Sequence, residues 1–187
     1  MRHSKQFLFL ISLLVLSWLG MQAVHESGHV LAAKISGGAV QKVELHPLRI
    51  SRTDVAPNPF PAIVVWSGPI VGCSIPLLLE LSTARCSQWL HHSLRFFSGF
   101  CLIANGAYIG IGAFERIGDC GVMLQTGSPR WALFLFGAVT VPLGLFQFHR
   151  LGSPRQFFSP AAEVSTDVAL GLALAAITVV GIAAVFG

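Results

Sequence analysis

Charge is scarce in this chain. Only 11% of its 187 residues are Asp, Glu, Lys or Arg, against about 25% in an ordinary soluble domain. That shortage excludes a soluble globular protein. Acidic residues are the scarcer kind, eight against twelve Lys and Arg, which leaves a net charge of +4. The cations are scattered through every polar segment, so no patch is dense enough for nucleic acid. Their excess matches anionic lipid headgroups instead. The four cysteines, at 73, 86, 101 and 120, include no pair with metal-ligand spacing. They read as buried free thiols. No internal repeat and no low-complexity tract is present. The length suffices for one compact bundle and excludes a bundle with a large soluble domain.

Long apolar runs fill the rest. Hydrophobic residues make up 53% of the chain, and a membrane span needs about 20 mostly apolar residues. Five such runs stand out: 7–33, 61–81, 94–114, 131–148 and 168–186. The expected fold is an all-α, polytopic transmembrane helical bundle, one membrane-embedded domain over residues 1–187. Met1-Arg2-His3-Ser4-Lys5 before the first run resembles a secretory leader, with Met21-Gln22-Ala23 as a poor cleavage site. The apolar sequence continues past that point to Ala33, so an uncleaved first span is expected.

Between the first two spans, Val40, Val43, Leu45 and Leu48 alternate with polar residues, which predicts a short strand or hairpin. Gly37-Gly38 ends the first helix, and Pro57, Pro59 and Pro61 close the loop. Ser67-Gly68-Pro69, Gly72 and Pro76 predict a kinked second span packed closely on a neighbour. Gly171 and Ala175 have the spacing of a helix-packing face, and Asp167 reads as the N-cap of the last span.

The chemistry concentrates at His25-Glu26-Ser27-Gly28-His29, near the end of the first run. On a helix His25 and His29 share a face one turn apart. Two imidazoles so spaced can grip one zinc ion, with Glu26 placed to take a proton from its water. Ionisable groups are costly inside a bilayer, so their presence there points to function. A catalytic zinc needs a third protein ligand. The first and third spans run in the same direction, so their C-terminal ends lie on one side. There stands Phe114-Glu115-Arg116-Ile117-Gly118-Asp119-Cys120-Gly121, with Asp119 as the first choice. Glu115, Cys120 and, in the first loop, His46 are the alternatives. His91-His92 lies in the second loop, on the opposite side, and adjacent residues point apart on a helix.

These residues resemble the site-2 protease family of intramembrane zinc metalloproteases. The likeness rests on the His-Glu-x-Gly-His pattern, the glycine pair after that helix, and Ser67-Gly68-Pro69 in the next span. An aspartate shortly before a glycine at the end of a later span completes it. It covers roughly residues 7 to 125. The resemblance implies His25, His29 and Asp119 as zinc ligands, Glu26 as the catalytic base and Asn105 as a candidate polar substrate contact. Asn105 reads equally as a hydrogen bond to a neighbouring helix. The family's compact Asn, Pro and Asp-Gly motif is spread out here, and Gly72 stands where an asparagine often follows Gly-Pro.

The function so implied is an intramembrane zinc endopeptidase acting on transmembrane or membrane-anchored protein substrates. Alternatives are a non-proteolytic metal-binding membrane protein, such as an assembly factor, or a small transporter. The absence of an inverted repeat argues against the last. Charge does not orient the chain, since six Lys and Arg fall on each side. Family resemblance implies the plasma membrane of a prokaryote, with the site nearer the cytosol.

Overall fold

In lipid every backbone polar group must be satisfied within the protein, so long apolar runs become helices. The computed structural model describes residues 2–85, 88–152 and 165–186. Cys86 and Arg155 lie outside the described residues. In chain order come α1 (Arg2–Ile35), β1 (Val40–Glu44), β2 (Arg52–Val55), α2 (Pro61–Ser82), α3 (Gln88–Glu115), α4 (Gly118–Gln125), α5 (Arg130–Arg150) and α6 (Thr166–Phe186). Five helices, all but α4, are long and apolar enough to cross a membrane. The expected helical bundle with a strand pair between its first two spans is the fold observed, and the protein is an integral membrane protein.

The breaks follow from the sequence. Past the end of α1, Gly37 adopts φ 77° and Gly38 donates its N–H to the Ala33 carbonyl at 2.8 Å. This is a left-handed helix stop that glycine adopts without strain. Pro61 opens α2, where a missing N–H costs nothing. The last helix departs from expectation. Its first turn is capped by Ser165, whose Oγ accepts the Val168 N–H at 3.2 Å, and Asp167 stands inside that turn. Gly171 and Ala175 face outward, and the contact with α1 runs through Ala169 and Leu172 against Phe9 and Leu13.

The strands pair antiparallel, with Val43 opposite Thr53 and Glu44 opposite Arg52. This hairpin folds back along α1. The Trp18 indole N–H donates to the Pro47 carbonyl at 2.9 Å. Trp18 lies seventeen residues before the end of α1, about 26 Å back along its axis. The hairpin charges answer one another, with Glu44 3.2 Å from both Lys42 and Arg52.

The core joins α2, α3, α4 and α5 through Val65, Ile109, Ala113, Cys120, Met123 and Leu133. Farther along, near the C-terminal end of α2, a second buried group ties three spans. Arg95 Nε (α3) donates to Glu80 Oε1 (α2) at 2.9 Å, and Gln147 Nε2 (α5) donates to Glu80 Oε2. His91 Nε2 accepts from Arg95 at 2.6 Å, so this histidine serves the ion pair.

Candidate metal centre

Two imidazoles on consecutive turns of α1 need a neighbour that leaves them room. Gly68 of α2 supplies it. A Cβ there would run into His29 Nε2 and come within 2.8 Å of His25 Nε2. Gly28 does the same for the helix crossing, since a Cβ on it would strike the Ser67 carbonyl. The Ser-Gly-Pro segment therefore meets the histidine motif directly. Gly68 lies seven residues inside α2, about 10 Å from its start. His25, Glu26 and His29 are 6%, 3% and 5% exposed, so water alone cannot satisfy them.

The far nitrogen of each ring is already committed. His29 Nδ1 lies 2.8 Å from the Val64 carbonyl oxygen, which can only accept, so Nδ1 carries the proton. His25 Nδ1 lies 2.6 Å from Asn105 Oδ1. Asn105 spends its Nδ2 proton on the Cys101 carbonyl at 2.9 Å, so its oxygen faces the ring and His25 Nδ1 also donates. Each neutral ring is then left with a bare lone pair at Nε2.

Those lone pairs converge on a carboxylate. After α3 ends, Arg116 and Gly118 take φ 58° and 54° and turn the chain into α4. Gly118 leaves space that a Cβ would take from the Tyr108 hydroxyl. Asp119, in the first turn of α4, donates its N–H to Tyr108 Oη at 3.1 Å. Its Oδ2 lies 2.9 Å from His25 Nε2 and 3.4 Å from His29 Nε2, and the two nitrogens are 3.1 Å apart. Three lone pairs at such separations repel unless a cation stands among them. Ligands about 2.0–2.1 Å from a tetrahedral zinc lie about 3.3 Å from one another, close to this triangle. Glu26 completes the group, with the ligand atoms of His25, Glu26 and His29 all within 4.8 Å of one another. These residues could hold a metal ion.

The other candidates lie apart from the triangle. Cys120 is buried with its thiol toward the Tyr108 and Ile109 carbonyls at 3.5 and 3.6 Å, and burial pushes its pKa up to about 11. Glu115 is exposed. His46 accepts the Leu48 N–H within its own turn at 3.1 Å.

Asn105 has its amide turned to His25 and Cys101 in the bundle interior, where it fixes the His25 ring. It occupies the room beside Gly72, where a Cβ would come within 2.9 Å of its amide. Sequence reasoning missed three participants: the Val64 carbonyl, Tyr108, and Thr53, which donates to Glu26 Oε2 at 2.6 Å. The lone tyrosine of the chain, inside an apolar span, was the one legible signal among them. Comparisons with protein-family models, curated proteins and solved structures give no match, and the centre stands on its own geometry.

Proposed function

We propose that this protein is an intramembrane zinc endopeptidase of the site-2 protease type. One observation carries the reading. His25 Nε2, His29 Nε2 and Asp119 Oδ2 converge with unshared lone pairs, and the Glu26 carboxylate stands beside them. A two-histidine, one-carboxylate set is a catalytic zinc donor set, because it leaves a coordination position open. His25, His29 and Asp119 would hold one zinc ion. When bound, zinc supplies Lewis acidity, polarising a peptide carbonyl and lowering the pKa of water toward about 7.

The remaining work falls to the chain. Glu26 accepts a proton from the attacking water and returns it to the leaving amine. Asn105 and the Val64 carbonyl hold both rings in the tautomer that keeps Nε2 free. The substrate class follows from the setting, a buried group beside membrane-spanning helices: a transmembrane or membrane-anchored protein. A peptide bond inside a substrate helix is shielded by its own hydrogen bonds, so the segment must unwind to an extended form. The hairpin beside α1 offers a strand edge for it to pair with. On this reading the protein resides in a prokaryotic plasma membrane, with the centre nearer the cytosolic face.

The test is Glu26→Gln, assayed on co-expressed single-span membrane proteins with zinc content measured in parallel. A general base contributes about 10²- to 10⁴-fold. Cleavage should fall by that range while zinc remains at one ion per chain. Undiminished cleavage by the variant would refute the reading. So would zinc-loaded wild type that cuts nothing across a broad panel, which leaves a metal-binding protein without proteolysis.

A further inference from the structure

A hydroxyl of the hairpin reaches the metal group. Thr53 Oγ1, on β2, donates to Glu26 Oε2 at 2.6 Å across 27 residues of sequence. Glu26 is nearly sealed from the surface, so this donor takes the place that water would hold on an exposed carboxylate. A glutamate has three rotatable bonds, and nothing in helix geometry fixes its last one. Threonine suits the opposite need. Its β-branch stiffens χ1, and its backbone is held in register opposite Val43. The hairpin bearing it is anchored in turn by the Trp18 bond to Pro47.

We infer that Thr53 is a positioning residue for the Glu26 carboxylate. It fixes one oxygen and leaves the other to accept the proton of the attacking water. The inference rests on the hydrolase reading and extends it, because it makes the hairpin part of the catalytic apparatus as well as a surface for substrate. Threonine is nearly isosteric with valine, so Thr53→Val removes the donor and keeps the shape. Thr53→Ser keeps the donor.

Two readouts separate the possibilities. The first needs neither metal nor substrate. In the metal-free protein the carboxylate stretch of Glu26 is identified by infrared difference against Glu26→Gln. Thr53→Val should shift that band, and Thr53→Ser should leave it in place. The second is cleavage by the zinc-loaded protein of a fluorogenic peptide with one membrane-spanning apolar segment, in detergent micelles. Thr53→Val should lower kcat about tenfold or more, a part of the base's own contribution. KM and zinc affinity should be unchanged, and Thr53→Ser should recover most of the rate. An unmoved infrared band, a Thr53→Val rate equal to wild type, or a serine variant as slow as valine each overturns the inference while wild-type cleavage upholds the hydrolase. If wild type cuts neither this peptide nor the single-span proteins, the hydrolase reading fails and this inference falls with it. A band that still moves would then show the contact to be structural only.

Discussion

Two buried polar groups lie toward opposite ends of the same bundle, and they are built on contrary principles. Around Glu80 each formal charge has its answer inside the protein. Its carboxylate receives Arg95 and Gln147, and Arg95 also reaches His91. The pair is neutral as it stands and links α2, α3 and α5. Around His25 the opposite holds. Both outer nitrogens are satisfied by acceptors, which turns two lone pairs and an anionic oxygen onto one another. The first group is closed in charge, although Gln147 Oε1 and His91 Nδ1 are left without a partner among the described residues, and the second calls for a cation. Ionisable groups within a membrane are a sign of function by default, but the direction of their hydrogen bonds decides which cluster binds something and which holds helices together.

The contrast is most sharply tested by removing one member of each. His29→Ala, or Asp119→Ala, takes away a donor to the metal. Zinc content of the purified protein should drop from one ion per chain to near zero, with the bundle still folded in detergent. Retention of a full equivalent by either variant would show that the triangle is not the site. Glu80→Leu should do the reverse. It strands the Arg95 guanidinium, 8% exposed, without a counter-charge. Breaking one side of a buried pair costs about 3–5 kcal/mol. Thermal unfolding in detergent should therefore move sharply downward, while zinc stoichiometry of the folded fraction stays at one.

How much of this was legible beforehand depends on the distance over which each contact is written. The His25 and His29 pairing is local, since helix periodicity alone puts them on one face. Asp119 was reachable because alternation of spans brings the ends of the first and third together. Beyond that, information thins out. Thr53 is a hydroxyl in a polar loop, and only the backward fold of the hairpin delivers it to Glu26. The eight-residue α4 carries no periodic stripe long enough to announce itself, yet it presents Asp119. Glu80 was an acid inside an apolar run, and Arg95 lay just inside the next. Their pairing could have been read from that placement, but the hydrogen bond to the second Glu80 oxygen could not, because Gln147 joins from α5.

Asn105 gives an intermediate test. Groups that orient a metal-ligating histidine typically contribute 10- to 100-fold to affinity. Asn105→Leu should weaken zinc binding by about that factor, measured by competition with a chelator, and leave one site per chain. A loss of all zinc would place Asn105 among the ligands. No loss would mean that the His25 ring is fixed by packing alone.

The smallest effect should come from the most drastic-looking change, Glu80→Met combined with Arg95→Met. A buried ion pair spends much of its Coulombic attraction on desolvation, and well-packed apolar side chains of similar volume often replace it at no loss. The double variant should unfold within about 1 kcal/mol of wild type, although Glu80→Leu alone is severely destabilised. Gln147 and His91 lose their partners in the exchange, which sets the residual cost. Recovery of that kind is possible only for a closed group. The parallel replacement at the other end, His25→Leu with Asp119→Leu, removes the repulsion among lone pairs and leaves the bundle stable, but no apolar pair restores zinc. If the Glu80 and Arg95 double variant stayed as unstable as the single one, that ion pair would be bound to something beyond its own partners, and the distinction between the two ends would collapse.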